Sequence, residues 1–453
     1  MRQLLKKLEC DDYLTLVAAS SIIRPGVASS GMMKAYIERY HKPDSFEYIH
    51  PIMKDLLAET YGVMVYQEDV IKVAHHFAGI DMGEADMLRR AMSGKYRGNQ
   101  EMIRIKENFF SNCKERGYDP AVVAEVWRQI ESFGGYSFSK AHSASFAVES
   151  YQSLYLKTYY PQEFLVAVIN NFGGFYSREL YFNELSKTGA TIHAPCVNNS
   201  DWYTCIKGQD VYTGFIHIKS LEQKAAENMI EERKRGGSYK SLADLVERSG
   251  IGKESLNCLI RLNAFHFTGK SKKELLWEAN LWQEPGKSKE KQFHPALFEE
   301  APVSFQLPEL PAYPLEDLYD EMELLDFPLS NPFPLADTDL DQYIPAALLE
   351  QYKGQKITVL GYLITYKPVR TIKGDLMCFG TFIDAALNWL DTIHFPDCLQ
   401  RYPLQGNGFY ALTGIVVEDF GVFNLEVSYL QKIGLKPRNS PQAVQPHLLP
   451  PTG

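Results

Sequence analysis

Apolar residues recur at three- and four-residue spacing in the first part of the chain, which is typical of helices with one buried face. Residues 120–133 show this spacing most clearly, with Val122, Val126, Trp127 and Ile130 on one side. Similar spacing predicts helices over residues 108–116 and 144–159. We therefore expect residues 61–175 to be helical.

The pattern changes near residue 351, where apolar and polar residues begin to alternate. The runs KITVLGYLITY, MCFGTFID, WLDTIHF, GFYALTGIVV and GVFNLEVSYL are separated by Gly, Asp and Pro turns. Short runs of this kind are typical of half-buried strands. Five of them predict an OB-type barrel over residues 351–435.

Residues 176–267 join these two parts and read as a connector followed by helices. A helix is predicted near residues 179–188, and the turn-rich stretch APCVNNSDW follows it. Helices are also predicted over residues 225–235, in SYKSLADLVER and in GKESLNCLIRLNAF. The predicted fold class is therefore multidomain, with helical regions followed by an all-β barrel.

Charge is distributed unevenly along the 453 residues. The net charge is −9, yet residues 291–350 alone hold one basic and 13 acidic side chains. We interpret residues 268–350 as an acidic, Pro-rich linker, and the Pro- and Gln-rich residues 436–453 as a disordered tail. The rest of the chain is nearly neutral, so the net charge does not exclude a nucleic-acid partner.

The seven cysteines are scattered and form no CxxC pair. This spacing argues against a zinc site and a disulfide framework, and it suits a reducing cytoplasm. No apolar run approaches the roughly 20 residues that span a bilayer, and no secretory signal is evident at the N-terminus. We therefore expect a cytoplasmic protein with no membrane partner.

A short helix in the first part of the chain carries paired guanidiniums near its C-terminal end. Gly83 opens it, Glu84 and Asp86 occupy its first turn, and Arg89, Arg90 and Lys95 follow. Such cations can bind the oxygens of a phosphate chain. They can equally complement the helix dipole and remain solvated.

The loop YSFSKAHSAS places Lys140, His142 and Ser143 at the start of the next predicted helix. Exposed N–H groups, a lysine and a hydroxyl at a helix N-terminus favour phosphate binding. A hydrolase is disfavoured because neither a GxSxG elbow nor a positioned acid accompanies the serine and histidine.

Three long segments resemble one known family. They are SIIRPGVASSGMMKAYIERYH, YGVMVYQEDV with ADMLRRAMSGK, and FGGYSFSKAHSASFAVESYQSLYLKTYYPQEF. They resemble the bacterial DNA polymerase III alpha subunit, in the order in which that family carries them. The resemblance implies a palm-to-fingers connection at residues 1–60, fingers at 61–175, a helix-hairpin-helix region within 176–267 and the OB domain at 351–435.

The resemblance also implies roles for individual residues. Incoming dNTP would be bound by Arg89, Arg90, Lys95, Lys140, His142 and Ser143. Primer-template and single-stranded DNA would be contacted by Arg24, Lys367, Arg370, Lys373 and Phe379, although Arg24 fits a structural role equally well. Tyr366 and Phe382 are further aromatic candidates on the barrel, where about half of such rings fill the core.

One departure concerns the helix-hairpin-helix region. The family has glycines in the turn before the first helix, whereas this chain reads HIKSLEQKAA, with Ser220 and Glu222 in the turn. Glycine allows a phosphate close to the backbone, and glutamate would repel it. A structural role for this hairpin is therefore at least as well supported as strong DNA binding.

Two motifs in the predicted linker suggest further partners. QFHPALF, residues 292–298, resembles the peptide by which replicative polymerases bind the sliding clamp, with a longer spacing. Asp337, Asp339 and Asp341 mimic a polymerase metal site, but they lie in an acidic segment without strand context. We interpret these three aspartates as solvated.

In this family the aspartates that hold Mg²⁺ precede the RPG loop, which here comprises residues 24–26, and this chain begins just before that loop. We therefore expect a part of a DNA-directed DNA polymerase with no catalytic residue and no metal ligand of its own, inactive alone and dependent on a palm-bearing polypeptide. The alternative is a non-catalytic accessory protein that binds single-stranded DNA or a clamp.

Overall fold

The structure is a computed structural model that describes residues 1–23, 31–91, 100–132, 139–282, 313–371 and 373–439. Residues 100, 101, 281 and 282 are described by their backbone alone. The chain forms two compact units. The first comprises Met1–Tyr155 with Glu418–Val422, and the second comprises Leu156–Val417 with Phe423–Gly453.

The first unit is helical, as the apolar spacing predicts. Its helices surround a core that includes Phe77, Phe109, Trp127 and Ile130, all nearly inaccessible to solvent. A single π-helical turn, Val73–Phe77, follows α5. The helices are α1 Arg2–Lys7, α2 Tyr13–Ile22, α3 Met32–His41, α4 Pro51–Leu57, α5 Gln67–Lys72, α6 Met82–Arg90, α7 Gln100–Glu115, α8 Pro120–Ser132 and α9 Lys140–Tyr159.

The second unit begins with helices around a small sheet. Strands β1 Thr191–His193, β2 Cys205–Lys207 and β3 Asp210–Tyr212 take the order β1-β3-β2, with β1 parallel and β2 antiparallel to β3. The residue pattern indicated a connector here and did not reveal this sheet. The helices are α10 Pro161–Asn170, α11 Arg178–Ser186, α12 Gln223–Gly236, α13 Leu242–Ser249, α14 Lys253–Arg261, α15 Lys272–Trp282 and α16 Glu316–Leu325.

A closed five-stranded barrel completes the second unit. Its strands are β4 Lys356–Arg370, β5 Leu376–Ile383, β6 Trp389–His394, β7 Phe409–Asp419 and β8 Val422–Ile433, with helix α17 Pro396–Arg401 after β6. The strands close in the order β4-β5-β6-β8-β7, with β6 parallel to β8. This topology is of the OB type. The predicted fold class, helical fingers and helix-hairpin-helix region followed by a β-barrel, is confirmed.

Alternation along the strands fills the barrel. In β6, Leu390, Thr392 and His394 are buried while the residues between them are partly exposed. Gly414 is required where β7 and β8 approach, since a Cβ there would lie 2.1 Å from the carbonyl oxygen of Glu426. Barrel closure therefore depends on side-chain volume at specific positions.

Residues 313–350 differ from the solvated linker that their acidic composition suggested. Leu318, Leu324 and Leu325 of α16 are buried, as are Phe333 and Leu335 of a 3-10 turn, Phe333–Leu335. The buried side chain of Asp320 accepts hydrogen bonds from Arg261 (Nη2–Oδ1 2.7 Å), Lys272 (Nζ–Oδ2 3.1 Å) and Arg438 (Nη2–Oδ1 2.6 Å). These cations lie elsewhere in the sequence, so local composition did not reveal the compensation.

The predicted tail is described only through residue 439. Within that part, Arg438 pairs with Asp320, and the backbone N–H of Lys436 donates to Leu335 O at 2.9 Å. Among the residues that the structure describes, none of the helices has the length and apolar content needed to cross a bilayer.

Candidate functional site

The helix that carries the paired arginines is fixed at both ends. At its start, the Asp81 carboxylate accepts a hydrogen bond from the N–H of Gly83 at 2.8 Å, which caps the helix. Glu84 in the first turn accepts from Arg104 of α7 at 3.1 Å. Arg89 and Arg90 lie in the last turn, as the sequence predicts.

Both guanidiniums bind the same carboxylate. Arg89 Nε lies 2.8 Å from Asp86 Oδ1, and Arg90 Nη2 lies 2.7 Å from Asp86 Oδ2. The hydrogen bond from Arg89 and the nearby positive charges hold the pKa of Asp86 below its usual value. The Arg90 side chain is 66% exposed and that of Arg89 is 28% exposed, so Arg90 is the more accessible of the two.

The first turn of α5 joins this helix to the start of α9. Gln67 Oε1 accepts a hydrogen bond from Arg89 Nη1 at 3.1 Å. The neighbouring Glu68 accepts from the backbone N–H of Lys140 at 2.9 Å. Two segments about 50 residues apart in sequence, each predicted to bind phosphate, therefore meet at adjacent positions of one turn.

A buried carboxylate stabilises that turn. Asp69 accepts hydrogen bonds from the backbone N–H groups of Val65 and Tyr66, both at 2.9 Å. Burial raises the pKa of Asp69 to about 6. The Tyr66 ring is only 3% exposed, so it supports the turn from inside.

The side chains of Lys140, His142 and Ser143 in the SKAHS segment have different surroundings. Lys140 Nζ lies 2.7 Å from Glu59 Oε2 and 5.4 Å from the centroid of the Tyr66 ring. His142 is exposed, with its ring edge-on to Phe146. The Ser143 hydroxyl is buried and lies 2.7 Å from the hydroxyl of Ser21, so it faces the protein interior.

Two further predicted residues, Arg24 and Lys95, lie outside the described residues. Three predicted cations are therefore described here, and each has a carboxylate partner in Asp86 or Glu59. Ion pairs that are partly exposed contribute only about 0–1 kcal/mol. An incoming phosphate chain could exchange with these carboxylates at little cost.

The predicted DNA-binding residues of the barrel lie on the β4–β5 hairpin. Lys367 pairs with Phe379 across the two strands, and Phe379 is 44% exposed. Arg370 Nη1 donates to Gly374 O at 2.9 Å and thereby closes the hairpin, while Lys373 is exposed in its turn. Tyr366 is exposed, whereas Phe382 is fully buried in the barrel.

The turn that departs from the family pattern keeps a glycine-like backbone. Ser220 has φ +65°, in the left-handed region that favours glycine. The N–H of Lys219 donates to Leu324 O at 2.7 Å, and Lys219 forms an ion pair with Asp326. This turn therefore contacts residues of its own chain, in line with a structural role.

A second turn, which was not predicted from the sequence, carries the glycines that the Ser220 turn lacks. Gly250, Ile251 and Gly252 connect α13 to α14, with Gly250 at φ +63° and Ile251 buried. A Gly-x-Gly turn between two short amphipathic helices was the signal that could have found it. Its two glycines give this turn a backbone freedom that Ser220 and Glu222 do not give the other turn.

The three linker aspartates do not form a metal centre. Asp337, Asp339 and Asp341 are exposed, and the Asp339 side chain accepts from the N–H of Asp341 at 3.1 Å. Across the described residues, His, Cys, Asp and Glu form no group of three suited to a metal ion. The clamp-like stretch, residues 292–298, lies outside the described residues.

Comparison with protein families agrees with this arrangement. Residues 1–117 match the bacterial DNA polymerase III alpha subunit finger domain, and residues 189–275 match the helix-hairpin-helix motif. Together with the barrel, these matches define a polymerase fingers region followed by a helix-hairpin-helix region and an OB-type domain.

The chain is homologous to the bacterial DNA polymerase III alpha subunit along nearly all of its own length, which confirms the resemblance. It is 32% identical to DNA polymerase III subunit alpha of Aquifex aeolicus (strain VF5) over 94% of this chain and 36% of the relative. The same subunit of Pasteurella multocida (strain Pm70) is 30% identical over 96% of this chain and 39% of the relative. The chain therefore spans less than two fifths of the curated relatives that it matches.

Proposed function

We propose that this chain supplies the fingers, helix-hairpin-helix and OB parts of a polymerase III alpha-type DNA polymerase acting in replication or repair synthesis. It would bind incoming dNTP and primer-template DNA in the cytoplasm. One observation carries the proposal. Arg89 and Lys140 are hydrogen-bonded to adjacent residues in the first turn of α5, Gln67 and Glu68.

The proposed nucleotide site works by exchange of ion-pair partners. In the free chain, Arg89 and Arg90 share Asp86 as their ion-pair partner, and Lys140 pairs with Glu59. The oxygens of a triphosphate would replace these carboxylates, and the planar guanidiniums can bind them in pairs. Positive groups held in this way stabilise charge on the phosphates during phosphoryl transfer.

The metal-dependent step is not assigned to this chain. Polymerisation needs divalent cations bound by carboxylates on a rigid scaffold. The three aspartates of the predicted linker do not fit that role, since Asp337, Asp339 and Asp341 are exposed and the last two belong to a 3-10 turn. We infer that the Mg²⁺ ligands belong to a palm-bearing polypeptide and that this chain alone is inactive.

The test is primer extension with Mg²⁺ and all four dNTPs. The purified chain is assayed alone and mixed with a palm-bearing polypeptide from the same source. We expect activity only in the mixture. Extension by the chain alone would refute its dependence on a palm, and tight binding of single-stranded DNA without extension in the mixture would favour a non-catalytic accessory protein.

A variant of Arg90 makes the same assay specific for the nucleotide site. Arg90→Ala in the mixture should raise the KM for dNTP or lower kcat, with a loss in kcat/KM on the order of tenfold or more. Arg128→Ala is the matched control, because Arg128 is also exposed and pairs with a carboxylate on its own helix, Glu125 at 2.6 Å. Equal kinetics for both variants would contradict a role for Arg90.

A further inference from the structure

A small cavity lies beside strand β8 of the barrel. Its lining comes from α17, the loop that follows α17, and strands β7 and β8. The cavity has a volume of about 210 Å³, whereas pockets for drug-sized ligands measure roughly 300–1,000 Å³. The site therefore suits a small ligand or one end of a larger one.

Hydrogen bonds within the protein hold the wall of this cavity in place. The hydroxyl of the buried Tyr410 donates to Gly406 O at 2.6 Å and accepts from the N–H of Gln405 at 2.9 Å. Lys432 Nζ donates to Gln405 O at 2.6 Å and lies 5.9 Å from the centroid of the Tyr410 ring. The loop after α17 is therefore fixed to both β7 and β8, which reduces the entropy lost when a ligand binds.

The charge of the lining is positive. Arg401, in the last turn of α17, and Lys432, on β8, are both exposed, and none of the lining residues, which the structure describes in full, is a carboxylate. Across the described parts of the chain, neither cation forms an ion pair, whereas the cations of the candidate nucleotide site each have a carboxylate partner. Two unpaired cations in one cavity favour an anion, even in a chain of net charge −9.

The donors of the cavity favour a terminal phosphate over other anions. The side-chain amides of Gln405 and Gln431 add N–H groups to those of the two cations. A terminal phosphate carries about −1.5 to −2 charges at pH 7 and three acceptor oxygens, which a carboxylate does not match. A phosphodiester within a strand carries one charge and is flanked by sugars on both sides. The small volume and the number of donors therefore fit the end of a phosphate-bearing molecule.

We propose that this cavity binds a terminal phosphate group, carried by a mononucleotide or by the 5′ end of a single strand. Tyr402 lies in the lining and packs edge-on against Tyr429, with 4.9 Å between the ring centroids, so it offers an apolar flank to the adjoining sugar. This site is separate from the β4–β5 hairpin, where stacking on aromatic rings would not distinguish the end of a strand from its middle.

The test compares two versions of an oligo-dT of about 10 nucleotides, labelled at the 3′ end. One carries a 5′ phosphate and the other a 5′ hydroxyl, and fluorescence anisotropy gives the dissociation constant of each for the full chain. We expect the 5′-phosphorylated strand to bind roughly tenfold more tightly, because charge-assisted hydrogen bonds are the strong ones. Arg401→Gln/Lys432→Gln should abolish this preference with unchanged circular dichroism, since glutamine keeps an N–H donor for Gln405 O.

Calorimetric titration with dTMP distinguishes the two sources of the phosphate. Binding of dTMP that the double variant abolishes, without a preference for the 5′-phosphorylated strand, would identify a mononucleotide as the ligand. A preference for the phosphorylated strand without binding of dTMP would identify the strand end. Either result supports a terminal-phosphate site.

Two further variants keep the test specific. Lys353→Gln/Lys356→Gln removes the same charge from two exposed residues outside the cavity and should retain the full preference. Arg401→Gln alone changes one exposed side chain and should reduce the preference by about threefold or more. Equal binding of both strands together with no heat from dTMP at about 1 mM would overturn the proposal, as would an equal loss in the control variant. Neither result bears on extension in the palm mixture, so this proposal and the proposed function stand or fall separately.

Discussion

Asp86 organises the cations of the candidate nucleotide site before any nucleotide is present. Because both arginines bind this one carboxylate, their guanidiniums are already directed to one side of the last turn of α6. Gln67 fixes Arg89 from a second direction. Holding side chains in place in the free protein reduces the entropy lost when a ligand binds.

Glu179 is a second residue whose environment can be tested, because its burial should make the stability of the chain depend on pH. It lies on α11 against strand β4, where its side chain is hydrogen-bonded to Tyr362, and its Oε1 has no partner among the described residues. Burial raises the pKa of Glu179 to about 7, above the ordinary value of 4.5. The folded chain therefore binds this proton more tightly than the unfolded chain does.

The pH dependence follows from that difference. Between about pH 4.5 and pH 7 the folded state holds more protons than the unfolded state, so stability is lost as the pH rises through this window. Glu179→Gln keeps the shape and removes the charge. It should leave the free energy of unfolding nearly unchanged at pH 5 and raise it at pH 8 by on the order of 2 kcal/mol.

Urea unfolding at the two pH values checks this prediction. The control is Glu184→Gln on the same helix, where the carboxylate is partly exposed and pairs with Lys187 at 2.9 Å. Its effect should be small at both pH values, since partly exposed ion pairs contribute little. If Glu179→Gln changed the free energy of unfolding equally at both pH values, burial would not raise the pKa of this carboxyl.

At the scale of elements, we propose the β4–β5 hairpin as the surface that would contact a single strand of DNA. It presents Phe379 beside Lys367, with Lys373 in the adjoining turn. OB-type barrels bind single strands by stacking bases on aromatic rings and tracking the backbone with cations. Arg370 is occupied in closing the hairpin, so it supports this surface by holding its shape.

Phe379→Ala tests the hairpin. Because one stacked base contributes about 1–3 kcal/mol, the affinity for oligo-dT should fall roughly 5- to 100-fold. Fluorescence anisotropy of labelled oligo-dT gives the dissociation constant. Tyr429→Ala removes an aromatic ring of similar exposure, 41%, from strand β8 and should bind as the unsubstituted chain does. Similar losses in both variants would mean that this hairpin is not the binding surface.

At the scale of the whole molecule, the periodic elements were predictable because their signals are local. Alternation gave the five barrel strands, and three- and four-residue spacing gave α8. The folded helix α16 was not predicted, because the cations that compensate its buried Asp320 come from distant positions. These cations are Arg261, Lys272 and Arg438. Buried Leu315, Leu318 and Leu325 offered a helical spacing that the charge obscured.

The candidate site shows the same division between local and distant information. Residue types and helix positions placed Arg89, Arg90 and Lys140 at the ends of helices. Sequence could not show that Glu59 and Asp86 form ion pairs with them, or that the Ser143 hydroxyl turns inward to Ser21. Those facts depend on packing between segments far apart in the chain. Sequence similarity to the family indicated which cations belong to the candidate site, and packing determines which of their side chains are accessible.

The two compact units have separate cores, and this separation predicts how the chain unfolds. The core of the first unit lies within residues 4–147, and the helical core of the second lies within residues 165–327. We therefore expect two calorimetric transitions, one for each core.

Asp320→Asn tests this expectation. It removes the charge that compensates Arg261, Lys272 and Arg438 at a residue only 1% exposed, at a cost of about 2–4 kcal/mol. One transition should therefore fall by roughly 4–16 °C while the other stays in place. Glu316→Gln on the same helix, whose carboxylate lies 3.6 Å from Lys273, should shift neither transition by more than about 2 °C. If Asp320→Asn lowered both transitions together, the two cores would unfold as one cooperative unit, and the charge cluster would stabilise the whole chain.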